Sequence, residues 1–430
     1  MDDKSISHGL WAVTAPPPPP SLPPIEGEVK TDVAVIGGGY TGLSAALHLA
    51  EAGTDALVLE AKEIGYGGAG RNVGLVNAGL WLMPDDVVKI LGPEYGERLI
   101  RVLGASPDLV YGLIENHGIE CEAIRNGTLH CAHSPGGYCA LQQREVQWKR
   151  RDAPVTLLSR EEAAPKIGSE AFYGALWDER AGTIQPLAYA YGLAKAAQGA
   201  GARLYANSPV TAIERESNRW RLTTPSGHVL AKAVILAVHG YTDYAFKDKQ
   251  SALIPFNFFQ FATPPLPEKV RKTILPGGHG AWDTNLILSS FRLDQAGRLI
   301  VGSVGQVENM GYTLHKNWAQ RAIKKVFPQV GPISMEHAWN GRIAMTVDHI
   351  PRFHILGPDL VSVTSYNGRG IGPGSIFGKL LAQYLNGGSE KDIPLPVTKP
   401  QSVFMRGMRW LFYEAGARIY HSLQGRLIFF

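Results

Sequence analysis

Asp32-Val33-Ala34-Val35-Ile36-Gly37-Gly38-Gly39-Tyr40-Thr41-Gly42-Leu43-Ser44-Ala45-Ala46 decides how this chain is read. Val33 to Ile36 is an apolar run that predicts a buried strand. It breaks into glycines, and an Ala/Leu-rich pattern from Leu43 to Ala52 predicts a helix. A second apolar run, Ala56 to Leu59, ends in Glu60. Strand, glycine turn, helix, strand and acid is the order of a dinucleotide-binding unit. Gly37 permits the tight turn, Gly39 lets backbone approach a pyrophosphate, and Gly42 lets helix pack on strand. The helix N-terminus offers unpaired N–H groups to phosphate. Glu60 follows the glycines by about 20 residues, where an acid accepts ribose hydroxyls and disfavours a 2′-phosphate. That argues against NADP. A second match, Gly65-Tyr66-Gly67-Gly68-Ala69-Gly70, has no long helix pattern after it and reads as a loop.

At 430 residues the chain predicts two joined domains. An apolar content of 45% and a charged content of 19% are those of a soluble globular protein. The net charge of +4 is scattered, with short clusters at Lys149-Arg150-Arg151 and Lys324-Lys325, so neither a dense basic face nor a nucleic-acid module is present. Cys121, Cys131 and Cys139 fit neither a zinc site nor a redox pair and suggest buried thiols in a reducing compartment. The N-terminus lacks a signal pattern, and no apolar run approaches the ~20 residues of a membrane span, so a cytoplasmic location is expected. No histidine cluster has metal-ligand spacing, and no metal is expected.

Pro16 to Pro20 and Pro23-Pro24 predict a polyproline II arm over 1–28, either packed through Leu10 and Trp11 or partly disordered. Residues 84–170 read as mixed and mostly helical, and Pro186 to Gly199 as a helix. Short strands follow up to a longer one at Val229–Val238. Ile254-Pro255-Phe256-Asn257-Phe258-Phe259-Gln260-Phe261 is an aromatic strand, with further strands expected at Leu286–Phe291 and Leu299–Val301. Asn367 to Gly374 is a glycine loop opening a helix expected from about Ser375 to Leu385. The amphipathic 402–430 segment carries Phe404, Trp410, Leu411 and Phe412 near Arg406, Arg409 and Arg418. Such a segment either touches a membrane surface or, more often, packs on its own protein.

The Asp32–Ala46 stretch resembles the FAD-binding start of the D-amino-acid-oxidase-like family. Gly65 to Asn72 is similar to that family's GRN loop, and Ala237-Val238-His239-Gly240-Tyr241-Thr242 to its adenine-side strand end. Trp339-Asn340-Gly341-Arg342-Ile343-Ala344 and Tyr366-Asn367-Gly368-Arg369-Gly370 resemble its C-terminal flavin segments. The order matches across most of the chain, nearest to a gamma-glutamylputrescine oxidoreductase-like branch. The resemblance implies an α/β fold: a Rossmann-like, doubly wound FAD-binding domain over 29–83, 171–250 and 340–390. An interleaved antiparallel-sheet α+β substrate domain would take 84–170 and 251–339, with a helical extension over 391–430. It implies FAD held by Gly37, Gly38, Gly39, Tyr40, Thr41, Gly42, Glu60 and Ala61. The loop would add Gly68, Ala69, Arg71, Asn72, Val73 and Gly74, and the adenine side Val210, Ala237 and Gly240. Gly341, Arg342, Gly368, Arg369, Gly370 and Ile371 would lie by the ring.

The resemblance also implies oxidation at a carbon–nitrogen bond, with hydride passing to flavin N5 and the imine then hydrolysing. Arg342, Arg369 and Phe259 are the candidates on the catalytic side. A helix N-terminus at Gly372–Gly374, aided by Arg342 or Arg369, would stabilise negative charge on a reduced flavin. In glycine-oxidase-like relatives the arginine for the substrate carboxylate would fall at Ile343. In sarcosine-oxidase-like relatives the corresponding lysine would fall at Gly372. Both anchors are missing, which favours a longer or N-substituted amine. No cysteine occupies the Trp-x-Gly segment and no histidine the GRN loop, so the FAD is expected to be non-covalent. The electron acceptor is oxygen or another carrier. Alternatives are an amino-acid dehydrogenase feeding a membrane quinone, a flavoprotein acting on a protein partner, and an NAD-only dehydrogenase. Alternation along the aromatic strand puts Phe256, Phe258 and Gln260 on one face and Phe259 and Phe261 on the other. His239 and His337 are each read as structural.

Overall fold

The computed structural model describes residues 8–20, 22–241, 251–308 and 310–424. The first seven residues and Ser21 of the arm, Thr242 of the adenine-side segment, the remainder of the 171–250 span and residues 425–430 lie outside the described residues.

Two eight-stranded sheets carry the fold. In the first, Gly27–Ile36 sits between Gly227–Leu236 and Ala56–Leu59, parallel to both. Arg203–Tyr205 extends one side in parallel. Leu360–Thr364 extends the other, and Arg352–Gly357 closes that edge antiparallel. Parallel strands are covered on both faces, which is why Val33–Ile36, the buried half of this one, is apolar at every position. Val33 and Val35 face the helices Tyr40–Glu51, Pro186–Gly199 and Ile371–Leu385. Ala34 and Ile36 face the opposite layer, with Leu222 and Val229 from the meander around Arg219–Thr223.

The second sheet runs in the order His337–Met345, Ile254–Pro265, Arg298–Val304, Ser290–Leu293, Gly280–Asp283, Thr128–Cys131, Ala175–Asp178 and Val155–Leu158. Its pairs are antiparallel except Gly280–Asp283 with Thr128–Cys131, which are parallel. Ala175–Asp178 and residues up to Met345 belong to the second sheet, because their backbones pair with Thr128–Cys131 and Ile254–Pro265.

Local differences have local causes. The strand expected from Leu286 forms only at Ser290–Leu293, because the Asp283 carboxylate accepts from the N–H groups of Asn285 and Ser289 and holds the intervening residues as a loop. The last glycine-led helix begins at Ile371, four residues before Ser375, since proline at position 373 is tolerated in a first turn. Cys121 and Cys131 are buried, whereas Cys139 is exposed. Among the described residues no helix is long and apolar enough to cross a membrane.

The proline-rich arm is packed. A short helix, Leu10–Thr14, precedes the prolines, and Leu10 and Trp11 are fully buried. The final helix, Arg406–Leu423, lies on the second sheet through Glu414, Ala417 and His421.

Candidate active site

The C-terminal ends of the first sheet's parallel strands open into a cleft of about 760 Å³ that continues beneath the second sheet. Its wall begins at Glu60, Ala61 and Val210, passes Gly37 to Thr41 and Ala237, and ends at Gly368, Gly370 and Ile371. Ligands bind at this strand end in doubly wound sheets.

At the nucleotide end the turn is built around backbone contacts. Gly37 has φ +112°, and a Cβ there would stand 2.9 Å from the Ala237 carbonyl oxygen. Glu60 accepts from the Gly38 N–H at 2.6 Å through Oε2 and from the Lys62 N–H at 3.0 Å through Oε1. Burial pushes the Glu60 carboxyl up, and the amides of Lys62, Gly38 and Ala61 pull it back. Each carboxylate oxygen keeps a second lone-pair direction for a ribose hydroxyl. No side chain caps the Tyr40–Glu51 helix, so its first-turn amides are available to phosphate.

The Gly65–Asn72 loop is clamped from several sides. The Asn72 amide donates to Gly68 O and Ala69 O and to the Tyr40 hydroxyl, which itself donates to Ala69 O at 2.6 Å. Trp11 Nε1 donates to Asn72 O, and Trp339 Nε1 to Arg71 O, both at 2.9 Å. The loop's position is therefore set by the arm and by the second sheet together.

The far end is aromatic. Phe256, Phe258 and Gln260 reach the cleft from the aromatic strand, with Trp282 beside them and Trp81 from the loop before the Pro84–Gly104 helix. His130 stacks on Trp282 with centroids 3.4 Å apart. Gln260 is 3% exposed, and its Oε1 has no hydrogen-bond partner. The Ile371–Leu385 helix has no side-chain cap, and its start lines the cleft.

Gly37, Gly38, Gly39, Tyr40, Thr41, Glu60, Ala61, Gly68, Ala69, Asn72, Val73, Val210, Ala237, Gly240, Arg342, Gly368, Gly370 and Ile371 all line this one cleft. The other expected residues sit behind it. Gly42 packs helix on turn, Gly74 accepts from Arg292 and Ile184, and Gly341 receives the Phe258 ring. The Arg71 side chain is fully buried, its guanidinium 4.9 Å from the Tyr66 ring, so it shapes the loop instead of facing the cleft.

Two of the three catalytic-side residues do not line the cleft. Phe259 points away from the cleft, stacked on His315 at 4.5 Å in the core beneath the Met310–Val326 helix, because strand alternation gives the cleft Phe258 and Gln260. Arg369 lies under the floor, 4.9 Å from the Trp81 ring and 5.1 Å from Trp282, donating to Ala78 O at 2.8 Å. Burial lowers its pKa to about 9, so it stays a cation at neutral pH. Arg342 lines the cleft with its guanidinium 5.6 Å from the Tyr241 ring. His239 lines the cleft 4.7 Å from Tyr366, whereas His337 lies beside Glu336 outside it. Trp81, Trp282 and Asn77 were not singled out from sequence. A tryptophan in a glycine-rich loop was the one available signal, at Trp81.

Among the described residues no group of three or more His, Cys, Asp or Glu could hold a metal. The cleft fits FAD: an acid at one end, a glycine cradle with an uncapped helix in the middle, and a second uncapped helix at the aromatic end.

A family model described as DAO, FAD dependent oxidoreductase, matches residues 32–384. Gamma-glutamylputrescine oxidoreductase of Escherichia coli is 31% identical over 93% of this chain and 94% of its own. Probable oxidoreductase OrdL of Rhizobium meliloti is 31% identical over 89% and 90%. Glycine oxidase from Geobacillus kaustophilus superposes with a TM-score of 0.71 at 20% identity, covering 84% of this chain and 96% of that one.

Proposed function

Because the chain belongs to the FAD dependent oxidoreductase (DAO) family, acting on amines or amino acids, we propose that it oxidises a C–N bond in a longer or N-substituted amine. A gamma-glutamylputrescine-like compound fits this class. The observation that carries the reading is the aromatic end of the cleft. Ile343 occupies the wall there, and Arg342 is the one arginine among the lining residues. Among the described lining residues, no arginine besides Arg342 is there to grip a carboxylate on the reacting carbon.

Bound FAD supplies the two-electron acceptor for a hydride. The chain's part is to deliver the amine neutral, dry and oriented. The walls of Phe256, Phe258, Trp81 and Trp282 exclude water, which favours the uncharged amine over the ammonium. Arg369 under the two tryptophans adds a like charge that lowers the pKa of a bound amine. The Gln260 carbonyl oxygen is an unused acceptor for the amine N–H. Loss of hydride and a proton gives an imine, which water cleaves to an aldehyde and an amine or ammonia.

Anaerobic bleaching of the flavin absorbance against diamines, their glutamyl conjugates and free amino acids tests this. Conjugates or longer amines should bleach fastest, and kcat/KM should rise with pH through the free amine's ionisation. Bleaching by small amino acids alone would overturn it.

A further inference from the structure

The Arg406–Leu423 helix has two faces with different fates. The inner one is tied to the second sheet. Asn257 Nδ2 donates to Glu414 Oε1 at 2.8 Å, Arg406 Nε to Leu253 O at 2.6 Å, and His421 Nε2 lies 3.1 Å from Ser303 Oγ. Trp318 Nε1 and the Arg321 guanidinium hold the helix end through Gln424 and the His421 carbonyl. The helix is therefore built onto the protein, and its outer face is presented rigidly.

That outer face is apolar. Met408, Leu411, Phe412 and Ile419 follow one another at helical spacing, with Phe404 at the entry, and all five are 59–79% exposed. Exposed apolar stripes of this kind mark a surface with a partner. Arg409 and Arg418, both exposed, flank the stripe on opposite sides. The single acid in the helix, Glu414, is buried on the inner face. The outer face thus offers apolar side chains at its centre and only positive charge at its edges.

We propose that this face docks on an anionic lipid bilayer, with the stripe in the headgroup–acyl boundary and the two arginines on lipid phosphates. The pattern is that of an interfacial helix: an apolar strip flanked by cations that snorkel to the headgroups. A second copy fits less well. Antiparallel pairing about the midpoint of Met408 and Ile419 sets Arg409 of one copy against Arg418 of the other, like charge on like, with no exposed acid on the helix to answer them. Docking here needs no spanning helix. It would hold the flavoenzyme at a membrane surface whichever amine it oxidises.

The test is flotation of the full-length holoenzyme with vesicles of phosphatidylcholine alone and of phosphatidylcholine with phosphatidylserine. Recovery with the anionic vesicles is expected, with far less on the neutral ones and loss at high salt. Each arginine near such a surface is worth about fivefold in partitioning, so Arg409→Gln with Arg418→Gln should weaken it about 30-fold. Leu411→Ser with Phe412→Ser should abolish it. These positions are exposed, so both variants should keep their flavin spectrum and amine turnover. Equal recovery on neutral vesicles, no recovery on either, or unchanged partitioning of the variants overturns the proposal. So does a concentration-dependent dimer in sedimentation velocity that the serine variant dissolves, which would assign the face to a second copy.

Discussion

Gly42→Ala is the sharpest test of the nucleotide cradle. A Cβ at position 42 would stand 1.9 Å from the Gly37 carbonyl oxygen and 3.1 Å from Val35 Cγ1. A close carbon–oxygen approach in proteins is about 3.3 Å, so the Tyr40–Glu51 helix must retreat by about 1.4 Å (3.3 − 1.9) from the turn. The atom struck is backbone in a strand-end turn, so a rotamer change cannot relieve it. Overpacking of this kind costs about 1–3 kcal/mol of stability. The same retreat carries the helix's first amides away from the pyrophosphate, stretching a hydrogen bond of about 2.9 Å beyond useful range. Loss of one bond to a charged group, about 1.5–3 kcal/mol, raises the FAD Kd by about 10- to 150-fold. The assay is the ratio of flavin to protein absorbance after purification, followed by FAD titration of the apoprotein with a thermal melt at each point. Gly112→Ala is the control: it lies in the interior of the Ser106–Asn116 helix with open space around a Cβ, and it should gain up to about 1 kcal/mol. If Gly42→Ala purifies as fully yellow as the parent and binds FAD with the same Kd, the close-packing argument for the cradle is wrong.

Trp11→Ala removes a fully buried ring packed edge-on against Trp339 at 5.5 Å and the N–H that holds Asn72 O. It should cost about 3–5 kcal/mol and speed FAD release, measured by chemical denaturation and by flavin fluorescence after dilution. Arg369→Met should shift the rising limb of kcat against pH upward by about one unit, about 1.4 kcal/mol, the scale of one like charge removed from behind the tryptophan wall at an effective dielectric near 20. The limb in kcat/KM belongs to the free amine and should stay; a kcat profile identical to the parent's refutes the role given to Arg369. Asp283 is fully buried, and burial lifts its carboxyl from an ordinary 3.8 to about 6. The folded state thus holds the proton longer than the unfolded one. Stability from this group is intact below about pH 4 and falls as pH climbs to about 6, by up to about 3 kcal/mol. Asp283→Asn should flatten that part of the stability–pH curve, read by urea melts across the range.

The nucleotide unit was legible because local sequence carries it whole. Apolar Val33–Ile36, the three glycines and Glu60 obey constraints met within some thirty residues, and all but Gly42 line the cleft directly or precede it in the same strand. The alternation along Ile254–Pro265 was legible as two faces, but not which face meets the cleft. Phe259 and Phe258 are chemically the same, and the choice between them is made by the Met310–Val326 helix packing on one side of that sheet. Arg369 sits two residues from Asn367 in a glycine loop that reads as flavin-side. Trp81, Trp282 and the Ala78 carbonyl, all from distant segments, hold it under the floor. The exposed-type composition of the final helix likewise said that it was amphipathic, not which face would be left bare.

Sequence alone settled that this chain holds a dinucleotide on a doubly wound sheet, and through motif order that the dinucleotide is FAD, because glycine conformations and strand–turn–helix spacing are local requirements. Tertiary structure decided which aromatic side chains wall the cleft, which arginine lines it, and where the sheet boundaries fall. Those depend on packing between segments far apart in the chain, and single-residue chemistry does not encode the partner it will meet.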